Sequence, residues 1–166
     1  MSNYSPVKIA PNFEDRYPDS SATATECAMN LVRTADMLEK RIAALLSAFD
    51  LSPATGLVLG ILADSGSAIS PNQIAERLII SRASVTSLLD SLEKRGYVLR
   101  QPHQSDRRML LVELTPKGRQ VADDFRPVVH RHERTWLGAL NENQQEQLIR
   151  SLHLLQLGLA ETGDHT

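Results

Sequence analysis

Ser70-Pro71-Asn72-Gln73-Ile74-Ala75-Glu76-Arg77-Leu78, a two-residue break, and then Ser81-Arg82-Ala83-Ser84-Val85-Thr86-Ser87-Leu88-Leu89-Asp90-Ser91-Leu92-Glu93-Lys94 is the stretch on which the fold turns. Serine caps the free backbone N–H groups of a helix, and proline suits the first helical position because it has no N–H to leave orphaned. Glutamine three residues on completes a capping box. A short helix therefore starts at residue 71, with Ile74, Ala75 and Leu78 as its apolar stripe. It is too short to stand without a neighbour. Ser81 is the next cap. Val85, Leu88, Leu89 and Leu92 follow at i, i+3, i+4 and i+7, which sets them on one buried face of a second helix.

The other face of that second helix carries Ala83, Thr86, Ser87, Asp90 and Lys94, with Arg82 and Ser84 beside them near its start. An ordinary solvated surface has this composition. So does a slim helix made for a major groove, where hydroxyls and arginine meet base edges and the helix N-terminus meets phosphate. A pair of helices a few residues apart is what a helix-turn-helix requires.

Downstream, Gly96 stands where a helix C-cap wants a left-handed residue, and Tyr97-Val98-Leu99-Arg100-Gln101 reads as a strand. Residues Pro102 to Arg108 form a polar loop, and Leu110-Leu111-Val112-Glu113-Leu114 reads as a second strand with Leu110, Val112 and Leu114 on one side. A hairpin with a charged tip results. Arg107 and Arg108 near that tip suit a narrow, electronegative minor groove; an ordinary polar turn is the alternative.

The run from Ser105-Asp106-Arg107-Arg108 through Leu114-Thr115-Pro116-Lys117-Gly118 resembles the wing signature of the MarR family of bacterial transcription regulators. In that signature an aspartate, an arginine two residues on, a hydrophobic strand and Leu-Thr-x-x-Gly follow one another. Gln73-Ile74-Ala75, Ser84-Val85-Thr86 and Leu92-Glu93-Lys94-Arg95-Gly96-Tyr97-Val98 look like the family's helix pair. The resemblance extends over residues 24 to 160. It implies a mainly α fold with a small β-hairpin wing: a winged helix-turn-helix lobe plus N- and C-terminal dimerisation helices. It also implies a homodimer on a pseudo-palindromic operator in double-stranded DNA, a repressor or an activator with repression expected, released by a small aromatic or lipophilic ligand. By the same resemblance Asp106 orients Arg108, and Arg108 enters the minor groove.

Charge distribution agrees with a DNA partner better than total charge does. The formal net charge is −2, yet residues 77–108 hold seven Lys/Arg against three acids, a local +4. That asymmetry steers DNA to one region. A single cysteine, Cys27, excludes an intramolecular disulfide and fits a reducing compartment. With no signal-peptide pattern and no apolar run of about 20 residues, the expected location is cytoplasmic.

Taken in order, residues 1–22, with Pro6, Pro11 and Pro18, are expected to be a flexible arm. Residues 23–50 and 116–162 are read as dimerisation helices and 51–115 as the winged lobe. In the first long helix Leu31, Leu38 and Leu45 recur every seven residues, joined by Ala28, Ala35, Ile42 and Phe49. After Ser52-Pro53, Leu57, Val58, Ile61 and Leu62 are expected to face inward. Beyond Thr115-Pro116, Val121, Phe125, Val128 and His132 continue a helical face that Pro127 should kink. A capping box at Asn141 to Gln144 opens a last helix striped by Leu148, Leu152, Leu155 and Leu159, widened by Ile149. More leucine is presented than one small lobe can cover, which points to a second chain.

Enzyme signatures are missing: there is no G-x-S-x-G, no Walker loop and no H-E-x-x-H. No catalytic residue and no cofactor is expected. His130 and His132 lie about 200° apart around a helix, which speaks against one metal between them. Cys27 occupies a region where peroxide-sensing members of the MarR family carry a reactive cysteine. The tyrosines those proteins use are missing between Tyr17 and Tyr97, and Glu26 disfavours a thiolate. A buried apolar role is expected for Cys27, with a redox-switched regulator as the alternative. The DNA-binding set is Ser81, Arg82, Ser84, Thr86, Ser87, Lys94, Asp106, Arg107 and Arg108. Leu45, Phe49, Leu57 and Ile61 are the candidate ligand lining, and equally good core residues. The rival from another class is a winged protein-interaction module that does not use DNA.

Overall fold

The computed structural model describes residues 5–78, 80–102 and 109–162. Two compact units divide the chain, Met1–Asp123 and Asp124–Thr166. In the first unit a four-residue helix α1 (Phe13–Arg16) precedes α2 (Ala22–Leu46), which is capped by Ser21 through Ala24 N at 3.2 Å. A single 3-10 turn, Ser47–Phe49, follows, and Asp50 then reverses the chain at φ 56°. Aspartate tolerates this left-handed conformation better than most non-glycine residues do. α3 (Pro53–Ser65) opens on a reciprocal Ser52/Thr55 capping box and stops at Gly66, φ 63°.

The helix pair stands where its caps predict. In α4 (Pro71–Leu78) Ser70 N donates to Gln73 Oε1 at 2.8 Å and Gln73 N to Ser70 Oγ at 3.3 Å. α5 (Arg82–Lys94) is capped by Ser81, whose Oγ accepts from Ser84 N at 3.1 Å. β1 (Val98–Pro102) and β2 (Leu110–Leu114) pair antiparallel, with Arg100 opposite Val112. A third segment joins this hairpin: Ile69 exchanges both backbone hydrogen bonds with Val112, at 3.0 and 2.8 Å. One paired residue leaves no alternating pattern, so this bridge has no signature in the sequence.

These elements enclose a core of Val58, Leu59, Ile74, Val85, Leu89, Leu92 and Val112, each with no exposed surface. On α5 the expected face is buried at Val85, Leu89 and Leu92 and half-buried at Leu88. On α3 the expected face is rotated. Leu59 is buried and Leu57 is 58% exposed, so the inward set is Thr55, Gly56, Val58, Leu59 and Leu62. A helix that is apolar nearly all round gives no periodic signal to say which side is covered.

α6 (Pro116–Leu137) starts from Thr115, whose Oγ1 accepts from Gly118 N at 3.0 Å. It runs as one α-helix with Pro127 inside it. Its buried residues are Gly118, Ala122, Phe125 and Val129, largely one step round from the Val121, Phe125, Val128 and His132 face that spacing suggested. In the second unit α7 (Glu142–Thr162) opens on the reciprocal Asn141/Gln144 box, at 2.9 and 3.0 Å. Gln145 Nε2 donates to Leu137 O and Leu140 O, tying α7 to the end of α6.

The arm expected to be loose is tied to α2 through residues 5–9 and Glu14. Val7 N donates to Asn30 Oδ1 at 2.9 Å and Asn30 Nδ2 returns to Val7 O at 3.1 Å. Ile9 N donates to Glu26 Oε1 and Lys8 Nζ reaches Glu26 Oε2, at 2.8 and 2.9 Å. Polar side chains of α2 satisfy the arm's backbone without a periodic ladder, which is why the arm's own sequence shows no pattern. Cys27, expected to be buried, is exposed.

Candidate nucleic-acid interface

Four of the six candidates on α5 and its cap lie on the first two helical turns: Arg82, Ser84, Thr86 and Ser87. Ser81 stands at the N-cap and Lys94 at the last helical residue, about 18 Å further along the axis. All six are exposed. Ser81 and Ser84 share a hydroxyl–hydroxyl contact of 2.9 Å. The cap satisfies the third amide of the helix, and the first two, from Arg82 and Ala83, project from the positive end of the helix dipole. Thr86 Oγ1 donates to Arg82 O at 3.0 Å and Ser87 Oγ to Ala83 O at 3.2 Å. Their hydrogens are thus used within the helix and their lone pairs face outward, free to accept from a base-edge amino group.

Two arginines counted in the positive region are committed to the fold. Arg95 donates to Asp50 O at 2.6 Å, to Asp50 Oδ2 at 3.0 Å and to the Tyr97 hydroxyl at 3.1 Å, and lies 4.6 Å from the Tyr97 ring centroid. Arg100 is turned onto α5, against Asp90, Glu93 and the carbonyl of Thr86. Among the described residues of this region, the exposed cations left are Arg77, Arg82 and Lys94. Neither role was read from the sequence, although Asp90 and Glu93, three apart on a face offered to an anion, are a signal that a cation must stand near them. A shallow groove between α4 and α5, lined by Asn72, Ala75, Glu76, Ile80, Ser81 and Arg82, runs beside this surface.

The wing residues Asp106, Arg107 and Arg108, and His103, lie outside the described residues. The strands that carry them are fixed at their base. Thr115 N donates to Tyr97 O at 3.0 Å, Thr115 Oγ1 to Gly96 O at 2.6 Å, and Lys117 Nζ to Arg95 O at 2.9 Å. Gly118 packs so closely that a Cβ there would overlap the Tyr97 carbonyl. That contact explains the glycine of the Leu-Thr-x-x-Gly run: backbone of α6 and of β1's lead-in meet with no room for a side chain.

Of the candidate ligand lining, Leu45 and Phe49 sit at the end of α2 and in the 3-10 turn, half-buried, and Ile61 is half-buried on α3. Leu57 is exposed and would line a cleft only if its other wall came from outside the lobe. Among the described residues no group of three His, Cys, Asp or Glu side chains could hold a metal. No single described helix is long and apolar enough to cross a membrane.

A capped helix pair, an outward polar helix and a clamped hairpin define a winged helix-turn-helix. The sequence profile of the MarR family matches residues 49–109. The chain is similar to the HTH-type transcriptional regulator PecS of Dickeya dadantii, 29% identical over 154 residues that cover 89% of this chain and 91% of PecS. In fold it resembles the S. aureus MepR–DNA complex, with TM-score 0.71, 23% identity, and coverage of 79% of this chain and 96% of MepR. It likewise resembles CouR of Rhodococcus jostii RHA1 bound to p-coumaroyl-CoA, with TM-score 0.73, 24% identity, and coverage of 82% and 95%. Over residues 49–109 the chain carries the sequence pattern of the MarR family, set in a fold like that of solved winged helix-turn-helix regulators.

Proposed function

We propose that two copies of this chain bind one pseudo-palindromic operator, each placing α5 in a major groove and its wing in the adjacent minor groove, and that occupancy represses transcription. The observation that carries this reading is the α5 surface: an exposed face of hydroxyls with Arg82 at the N-terminal end, backed by a buried leucine face. Ser81, Arg82, Ser84, Thr86, Ser87 and Lys94 contact phosphate or bases, and Arg107 and Arg108 serve the wing with Asp106 orienting Arg108. Twofold symmetry sets the two reading helices about 34 Å apart, one turn of DNA.

Dimerisation is supported by what the terminal helices leave uncovered. Leu46 is the one buried residue of α2, and α7 buries none over residues 142–161. Leu154, Ile149 and Leu159 are 69, 66 and 63% exposed, and helices with such stripes need a second chain. Release by an aromatic or lipophilic acid at Leu45, Phe49, Leu57 and Ile61 is the corresponding induction step. The p-coumaroyl-CoA bound by CouR carries an aromatic acyl group, although as a coenzyme A thioester rather than a free acid.

The test is binding to labelled DNA from the gene's own upstream region against scrambled DNA across a salt titration, followed by selection from random duplexes. Selective binding with a steep salt slope is expected. Arg108→Ala and Arg82→Ala should each weaken binding and lower the slope by about one unit if each neutralises one phosphate. A chain that selects no duplex is a winged module serving protein contacts instead.

A further inference from the structure

Arg100 stands on β1, outside the recognition helix, yet its guanidinium belongs to that helix's surface. Nη1 donates to Asp90 Oδ1 at 2.6 Å and to Glu93 Oε2 at 3.2 Å, and Nη2 donates to Thr86 O at 3.2 Å. The arginine side chain is 21% exposed, whereas Asp90 and Glu93 keep 50 and 41% of theirs. Asp90 lies on the same helical face as Ala83, Thr86, Ser87 and Lys94, at i+7, i+4, i+3 and i−4 from them. A carboxylate on a face that enters a groove between two rows of phosphate is repelled. The Debye length, about 10 Å at 0.1 M salt, does not screen it at that range.

We propose that Arg100 is a positioning residue for DNA recognition that acts without touching DNA. It lowers the negative charge of the Asp90–Glu93 pair on the reading face and bolts the base of the hairpin to the helix. Its contribution to recognition is electrostatic: it offsets the charge that Asp90 and Glu93 place on the reading face. The inference rests on the assignment of α5 as the DNA-reading helix. Three hydrogen bonds turn the Arg100 guanidinium to two carboxylates and a carbonyl of its own chain, which speaks against a phosphate contact.

The experiment compares the full chain, R100Q, D90N/E93Q and the triple variant R100Q/D90N/E93Q, by fluorescence anisotropy on a duplex that the unmodified chain has selected, across a salt series. R100Q should bind at least tenfold more weakly. The triple variant should recover to within about threefold of the unmodified chain with the same salt slope, because no phosphate contact was lost. D90N/E93Q, with Arg100 kept, should bind at least as tightly as the unmodified chain. This arm holds the test if R100Q fails to fold. R100Q binding like the unmodified chain overturns the role. So does a triple variant that stays weak with its slope reduced by about one, since Arg100 would then contact phosphate itself. Weaker binding by D90N/E93Q also overturns it, because the carboxylates would then be reading bases. An unmodified chain that selects no duplex overturns the DNA assignment beneath it, and the two failures are thereby told apart.

Discussion

α5 and α7 both carry leucines at helical spacing, and their surroundings are opposite. Leu89 and Leu92 of α5 have no exposed surface, packed among α3, α4 and the hairpin, while Leu154 and Leu159 of α7 are 69 and 63% exposed. Covering a leucine is worth about 1.5–3 kcal/mol, so the winged lobe gains that free energy within one chain and α7 in a single chain does not. The lesson is that one periodicity occurs in two settings, and only the burial pattern separates the helix that builds the lobe from the helix whose leucines stay uncovered in one chain.

The sharpest way to break this comparison is to spoil α7 alone. L155E/L159E removes about 1.5–3 kcal/mol for each leucine no longer covered, counted on both protomers of a symmetric dimer. Sedimentation should report monomers, and the lobe's melting transition should move little. A lobe that melts when the dimer separates would show that its core is not complete in one chain. Next in size, Gly118→Ala forces a Cβ onto the Tyr97 carbonyl, and about 3 kcal/mol or more should be lost from the lobe in chemical denaturation, with the oligomer unchanged where the chain still folds. Ser81→Ala should cost about 1 kcal/mol by the same measurement, because Ser84 N loses its acceptor at the exposed start of α5.

The smallest effect concerns the arm. Hydrogen bonds from the Ile9 amide and from Lys8 hold the Glu26 carboxyl below its ordinary value of 4.5. A group depressed in the folded state contributes stability above its unfolded value and loses it as pH falls through the folded one. Hydrogen exchange at the Ile9 amide should therefore accelerate below about pH 4.5 relative to its intrinsic rate. Glu26→Gln should flatten that pH response.

Caps made much of this legible in the sequence. Ser52, Ser70, Ser81, Thr115 and Asn141 each mark a helix start, because a hydroxyl or amide must meet an orphan amide within three residues. The α5 face was legible for the same local reason. What escaped was set by partners distant in sequence. Asn30 and Glu26 read the backbone of the arm across 23 and 17 residues, and Arg95 reaches Asp50 across 45. The orientation of α3 escaped differently: apolar on nearly every side, it gave Leu57 and Leu59 equal claim to the core. In the candidate site the exposed residues followed from the helix period, whereas the commitment of Arg100 to Asp90 required the hairpin's register.

The clamp at the foot of the hairpin has a consequence for how such a chain diversifies. Tyr97 and Thr115 are hydrogen-bonded to each other, with Gly96 and Lys117 reinforcing the junction, so the segment linking β1 to β2 has its two ends already held together by the paired strands. For a loop closed at its neck, doubling its length costs only about 0.6 kcal/mol. The tip is therefore a cassette. Residues can be inserted, removed or exchanged beyond β1 and before β2 at small cost to the scaffold beneath, while the capped helices and the Gly118 contact stay under constraint.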